Sequence, residues 1–204
     1  MIISLSVYAN DIYINQSGAT LDLDVTQDGQ NNTVGSSSTA SSVIGATTNL
    51  AITQIGSNNV MTFDVNGATY TGTYSVTGNS NNIDFNCDSG GSNSSCGTAT
   101  ASIVWVGSSN DIDIDIGETS SATSATVGIT GASGSDSNTI LGTIDGNSAI
   151  LTLSVNGDTN NFLVDIDGNG DANGHTYIHT HTGSIADVDI TQSGIYDNMI
   201  TLTT

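Results

Sequence analysis

The chain contains no lysine, no arginine and no proline, and the missing cations exclude whole classes of partner. Its 204 residues include 20 acidic side chains and three histidines, so the formal net charge is −20. Such a surface repels nucleic acid phosphates and anionic lipid headgroups, and there are no basic side chains to bind them. No apolar run approaches the ~18 residues of a membrane-spanning helix. We therefore expect no nucleic acid binding and no membrane insertion.

Large apolar residues are also scarce, since hydrophobic residues make up 36% of the chain and aromatic residues 5%. The missing bulk is replaced by small and polar residues, including 24 glycines, which argues against a helix-rich core. This composition also fits a disordered chain, but a disordered chain lacks regular apolar alternation. Alternation with period two runs through most of this sequence, which predicts β-strands.

One pattern recurs along the chain: apolar residues at every second position lead into a glycine. The repeat glycines are Gly18, Gly29, Gly56, Gly78, Gly107, Gly131, Gly157 and Gly194. The residue two positions earlier is glutamine in four copies, Gln16, Gln27, Gln54 and Gln192, and apolar in the others, Val76, Trp105, Ile129 and Val155. Period two places this residue on the same face as the apolar residues before it.

After the glycine, an asparagine often begins a second alternating run, as in Gly56, Asn59, Met61 and Phe63. Glycine and asparagine accept positive φ at low cost and so suit the turn. The acidic residues of these second runs fall on the face opposite the apolar ones, which predicts that they point outward. They are Asp64, Asp84, Asp111, Asp113, Asp115, Asp165 and Asp167.

A repeat of roughly 20 to 50 residues cannot bury an apolar face alone, so neighbouring copies are expected to stack. The predicted fold is all-β: a cross-β solenoid of stacked strand-turn-strand rungs without significant helix. Residues 10–204 form one repeat domain of about seven rungs, with loop insertions near 87–96 and 167–183. Residues 1–9 have two interpretations, the remnant of a signal peptide or a first strand.

The motif Gln-x-Gly-x-x-Asn, present as QDGQNN at 27–32 and QIGSNN at 54–59, resembles the curlin repeat of bacterial curli. INQSG at 14–18 and ITQSG at 190–194 match its first half. The resemblance implies a secreted subunit that folds into stacked rungs and polymerises outside the cell as a functional amyloid of the biofilm matrix. It also implies the ladder and turn positions Gln27, Gly29, Asn32, Gln54, Gly56 and Asn59, with partial matches at Gln16, Gln192 and Gly194. The middle copies depart from the family by replacing glutamine with apolar residues.

Cys87 and Cys96 bracket the polar stretch DSGGSNSS, which is long enough for the two sulfurs to meet. A local disulfide is one interpretation, and it favours an oxidising, extracellular or cell-surface location. The other interpretation is two free thiols.

The segment DIDGNGDANGHTYIHTHTG differs from the rest of the chain. Asp165, Asp167, Asn169 and Asp171 alternate like the first half of a calcium loop, but Thr176 stands where such a loop has a bidentate glutamate. Calcium is thus the only cofactor suggested, and a solvated acidic loop is the favoured alternative. Histidines 175, 179 and 181 share one face of a strand, where they form either a transition-metal site or, as favoured, a polar surface stripe.

No nucleophile elbow, phosphate loop or HExxH motif is present, and there is no basic clamp for an anion. A glycosidase-type pair of carboxylates stays open, but the chain is not predicted to be an enzyme. The leading hypothesis is a secreted structural fibre subunit that binds copies of itself. The alternatives are a virion or cell-surface adhesin that binds a glycan or receptor, and an ice-binding solenoid with Thr-x-Thr rows such as Thr69, Thr71 and Thr73.

Overall fold

The computed structural model describes residues 11–29, 31–35, 40–56, 58–78, 80–87, 97–107, 111–117, 124–132, 134–135, 138–145, 148–158, 160–167, 175–184, 186–193 and 198–204. Within these ranges every regular element is a strand, and there is no helix that could span a membrane. The strands are β1 Asp11–Ile12, β2 Asn15–Asp28, β3 Thr33–Val34, β4 Ser41–Ile55, β5 Val60–Asn66, β6 Thr69–Thr77, β7 Asn82–Cys87, β8 Thr98–Val106, β9 Asp111–Ile116, β10 Ser124–Gly131, β11 Thr139–Asp145, β12 Ala149–Asn156, β13 Asn160–Asp167, β14 Thr176–Thr182, β15 Ala186–Ser193 and β16 Met199–Thr203.

The chain visits two stacks of parallel strands alternately. The first stack runs in the order β2, β4, β6, β8, β10, β12, β14 and β16. The second stack runs β1, β3, β5, β7, β9, β11, β13 and β15. Every turn of the chain adds one strand to each stack and pairs it in parallel with the strand one turn earlier. The predicted all-β solenoid is confirmed.

Two long strands, β2 and β4, bend from the second stack into the first without a break. The first part of β4, Ser41–Ile44, pairs with β5 in the second stack, whereas residues 47–55 pair with β6 in the first stack. In β2, residues 15–18 pair with residues 42–45 of β4, and residues 20–28 pair with residues 47–55 of β4. The first described strand segments therefore belong to the second stack.

The core lies between the two stacks, because each strand turns alternate side chains toward the other stack. The strands β8 and β12 show strict alternation of exposed and buried residues, as the period-two pattern predicts. The bulkiest fully buried side chains include Trp105, Tyr70, Tyr74, Tyr177, Phe63, Phe85 and Phe162.

Two details of the predicted pattern need correction. The sequence places 167–183 in a loop insertion, but Thr176–Thr182 form β14, a regular strand between β12 and β16, because its alternate side chains are buried in the core. Trp105 and Ile129 each stand two residues before a repeat glycine, so the sequence pattern places them in register. In the structure, however, Trp105 pairs with Gly131. A side chain at position 131 would overlap the Trp105 indole, so glycine fits there.

Candidate assembly interface

The C-terminal end of the solenoid is an open pair of strands. Strand β16 pairs only with β14, and β15 only with β13, among the strands that the structure describes. Ile200 and Leu202 follow Tyr177 and His179 in register, and those two residues are fully buried. Ile200 is nevertheless 50% exposed and Leu202 48% exposed. Strand β16 thus presents core positions that no other described strand covers.

The N-terminal end is incompletely covered as well. Leu23 and Val25 of β2 pack on the core but are only partly buried, whereas their register partners Leu50 and Ile52 are fully buried. Ile14, in the second stack, is also partly buried. Residues 1–9, for which the sequence suggests a signal-peptide remnant or a first strand, lie outside the described residues. At both ends of the described chain, the outermost strands therefore expose one edge and part of their core-facing side chains.

Gln27 and Gln54 form a step of an amide ladder inside the first stack. The two residues are register partners in β2 and β4 and both are buried. The Gln54 Nε2 group donates to Gln27 Oε1 at 2.8 Å and to the Val60 carbonyl at 3.1 Å. Gln27 Nε2 in turn donates to the Thr33 carbonyl at 3.0 Å. The ladder ends at the next strand, where Val76 takes the same position.

Gln16 and Gln192 do not belong to that ladder, which corrects their assignment from the repeat. Both lie in the second stack, where Gln16 pairs with Val43 and Gln192 with Ile166. A column, defined here as a series of register partners through one stack, nevertheless links them. It reads Gln16, Val43, Val65, Cys87, Ile116, Ile144, Ile166 and Gln192. The two glutamines therefore stand at opposite ends of the same column.

The Gln192 amide has no hydrogen-bond partner among the described residues, although both its Nε2 and Oε1 atoms are shielded from solvent. A shielded amide without partners costs free energy relative to one that is paired. The position is at the open edge of β15. An added strand carrying an amide in the same column would satisfy it, as Gln27 and Gln54 satisfy each other.

Asparagines and glycines hold the turns that follow β2 and β4 in the first stack. Asn32 Nδ2 donates to the Ile55 carbonyl at 2.9 Å, and Asn59 Nδ2 donates to the Thr77 carbonyl at 3.4 Å, each on the next rung. Gly29 and Gly56 have φ of 158° and 153°, and a Cβ on Gly56 would overlap the Gly29 carbonyl oxygen. These predicted turn residues thus bridge successive rungs, while Gly194 lies outside the described residues.

The sequence reasoning missed the buried histidines of β14. His175, His179 and His181 face the core and are buried, so they do not form the favoured surface stripe. The Tyr177 hydroxyl lies 3.0 Å from His179 Nδ1, and the Phe162 ring meets the His179 ring edge-on at 4.4 Å between centroids. Burial, followed by the proximity of His181, lowers the pKa of His179 to about 4. The alternation H-x-Y-x-H-x-H is the signal that these residues share the core face.

Carboxylates occupy the outer face of the second stack, as predicted. Asp113 and Asp115 of β9 alternate with buried isoleucines, and Asp84 is the register partner of Asp113 one strand earlier. Burial raises the pKa of Asp64, and burial together with the charge of Asp64 raises the pKa of Asp84. Asp84 and Asp113 thus place two negative charges one strand spacing apart, at ~4.8 Å.

The outer face of the first stack has a different chemistry, since strands β4 to β16 of that stack contain no aspartate or glutamate. Threonine recurs from strand to strand in two columns: Thr69, Thr98 and Ser124 in one, and Thr71, Thr100, Thr126, Ile150 and Thr176 in the other. On strands β4 to β16 the face is thus an uncharged array of hydroxyl and methyl groups.

The remaining predicted sites lie largely outside the described residues. Cys87 is buried and disulfide-bonded, while Cys96 falls outside the described ranges. Of the suggested calcium ligands, Asp165 is exposed, the side chain of Asp167 is not described, and Asn169 and Asp171 are outside. Among the described residues no three His, Cys, Asp or Glu side chains are placed to hold a metal ion.

Comparison with protein-family models, with curated proteins and with solved structures gave no match to this chain.

Proposed function

We propose that the protein is a structural subunit of an extracellular filament that grows by end-to-end stacking of solenoids. The observation that carries this proposal is the open C-terminal end, where β16 presents an unpaired edge and half-exposed core side chains. An added strand would bury Ile200 and Leu202, which contributes roughly 1 kcal/mol for each half-exposed side chain.

The chain lacks the usual protection of strand edges. Soluble β-proteins block their edges with lysine, proline or a covering helix, and this sequence contains neither lysine nor proline. The two ends of the solenoid are different surfaces, so their contact is head to tail and does not close on itself. An open, linear polymer is the expected product.

Charge and redox state support an assembly outside the cell. Repeated carboxylates on the second stack repel each other between subunits, and salt or calcium weakens this repulsion by screening or bridging them. The disulfide at Cys87 suits an oxidising compartment. We therefore expect filaments to form faster in salt of seawater strength than in dilute buffer.

The test is electron microscopy with a light-scattering time course on wild type, Leu202→Asp and Thr201→Asp. Both substitutions add one negative charge to β16, but Leu202 faces the core side and Thr201 the outer side. Leu202→Asp places a carboxylate in the junction, where an unpaired charge is costly, and should raise the concentration needed for assembly about tenfold or more. In salt, Thr201→Asp should assemble more nearly like wild type, because its carboxylate stays in solvent, where repulsion from other carboxylates is screened.

Equal assembly of the two variants would show that the core positions of β16 are not in the junction. A wild type that stays monomeric at high concentration in salt would contradict the filament proposal. The adhesin hypothesis would then lead, and its candidate ligand surface is the groove of about 380 Å³ that Leu141, Leu163, Asp113, Asp115 and Asp165 line on the second stack.

Ice binding is a second candidate, favoured by the uncharged outer face of strands β4 to β16 in the first stack. Its hydroxyl and methyl groups repeat every ~4.8 Å along the stack and every ~7 Å along each strand. A flat, regular array of this kind can order water in two dimensions, as contact with a crystal face requires. The strand pairing brings the threonines of successive strands into columns, which the sequence alone does not reveal.

Thr100→Tyr tests this candidate, because the ring would stand out from the flat face in a central column. We expect the protein to inhibit ice recrystallisation and the variant to lose most of that activity. The control is Thr143→Tyr, which adds the same ring to the outer face of β11 in the second stack. Absence of recrystallisation inhibition by wild type, or equal loss in both variants, would contradict ice binding.

A further inference from the structure

We infer that the partner of the C-terminal end is the N-terminal end of a second copy of this chain, joined in one defined register. In this register β15 pairs with residues 11–17 of the next copy and β16 pairs with its residues 22–26, so that Gln192 stacks on Gln16. The inference rests on the proposed self-assembly and specifies its geometry.

The first support is the order of the strands. The first strand segments that the structure describes, β1 and the first part of β2, belong to the second stack. The last described strand, β16, belongs to the first stack. Because the stacks alternate along the chain, the strand that would follow β16 belongs to the second stack and lies on β15. The strand segment at residues 11–18 of the next copy also belongs to the second stack, so it can take this place.

The second support is the match of the columns at the two ends. Ile190 and Gln192 of β15 lie in the columns that begin at Ile14 and Gln16. Residues 14–17 read INQS and residues 190–193 read ITQS, so the end strands are near copies of each other in equivalent positions. Stacking one on the other brings isoleucine over isoleucine and glutamine over glutamine.

The third support is the unpaired amide of Gln192. Its shielded Nε2 and Oε1 atoms have no partner among the described residues, whereas Gln54 donates to Gln27 at 2.8 Å in the equivalent arrangement within the chain. The remaining six positions of the Gln16 column are filled by aliphatic residues and Cys87. Glutamine thus occurs in this column only at its two ends.

Cysteine cross-linking tests the register. Asn15 and Thr191 belong to one column of outward-facing residues in the second stack: Asn15, Ser42, Asp64, Asn86, Asp115, Thr143, Asp165 and Thr191. In the inferred register the two Cα atoms lie ~4.8 Å apart, within the range that a disulfide spans. A mixture of Asn15→Cys and Thr191→Cys subunits should therefore form heterodimers on mild oxidation. Asp189→Cys, two residues earlier in β15, is about 7 Å out of register and should cross-link with Asn15→Cys at least tenfold less.

A compensation experiment tests the glutamine pair. Gln192→Ile or Gln16→Ile alone leaves the other amide unpaired in the junction and should slow filament growth about tenfold. The double variant replaces both partners with a residue already common in this column, and it should recover most of the wild-type rate because no unpaired amide is left. Equal slowing in the double variant would overturn the pairing.

The outcomes separate this inference from the proposed function. Filaments that cross-link through Asp189→Cys, or through two Thr191→Cys copies, would keep the filament function but replace the register with a shifted or a tail-to-tail contact. Absence of any filament of the wild-type protein would defeat the proposed function and the inference together.

Discussion

Alanine in place of Gly56 is expected to lower the free energy of unfolding by about 3 kcal/mol or more. The Cβ atom would overlap the carbonyl oxygen of Gly29, one rung away, and overpacking of this kind costs ~1–3 kcal/mol. Gly56 also has a φ of 153°, which side chains rarely adopt, and such backbone strain costs a further ~1–3 kcal/mol. Backbone cannot move aside as a flexible side chain does, so neighbouring rungs would separate at the turn.

Gly128→Ala is the matched control, because a Cβ at Gly128 meets no atom within 4 Å. Its stability should stay within about 1 kcal/mol of wild type. Urea denaturation followed by circular dichroism and by the fluorescence of Trp105, the single tryptophan, measures both changes. Similar stability losses in the two variants would show that close stacking of the turn glycines does not limit this fold.

Acidification from pH 6.5 to pH 4 is expected to destabilise the C-terminal rungs by roughly 1–2 kcal/mol. Folding lowers the pKa of His179 from 6.5 to about 4, each pKa unit corresponds to about 1.4 kcal/mol, and solvent screening at the end of the solenoid reduces the effect. The unfolded chain takes up the proton first as the pH falls. The stabilisation is therefore complete above about pH 6.5 and decreases until about pH 4.

Within the part of the chain that the structure describes, no carboxylate faces the His179 ring to pair with a proton there. The inward neighbours from β12, β13, β15 and β16 carry no ionisable group: Leu153, Phe162, Ile190 and Leu202. The ionisable groups on the same face are His175, Tyr177 and His181 of its own chain segment. Protonation would thus leave a buried positive charge uncompensated.

Hydrogen exchange of β14 and β16 between pH 7 and pH 4, corrected for intrinsic rates, measures this effect. His179→Leu is the control, because Leu153 and Leu202 occupy the same column on either side. In the variant, most of the acid-induced increase in hydrogen exchange of β14 and β16 should disappear. Any part of the increase that arises from protonation of aspartates should stay the same in wild type and variant. Identical pH profiles of wild type and variant would contradict the role of His179.

The sequence by itself determined the repeating unit. Alternation with period two identified the strands, and the shared spacing around Gly29 and Gly56 placed Gln27 and Gln54 in register, because equal chain lengths between two turns bring equivalent residues to the same height. It also placed the aspartates of β9 opposite the isoleucines, since neighbouring residues of a strand point to opposite faces.

Only the tertiary structure decided which stack each strand joins and which of its faces is covered. Gln16 and Gln192 carry the same local motif as Gln27, yet they lie in the second stack, because stack membership depends on the number of strands that precede a residue and not on its neighbours in sequence. Period two likewise places the histidines of β14 on one face without showing whether that face meets solvent or Phe162. Burial is decided by what packs against a face, and for β14 that is β13 of the opposite stack, whose Phe162 meets the His179 ring.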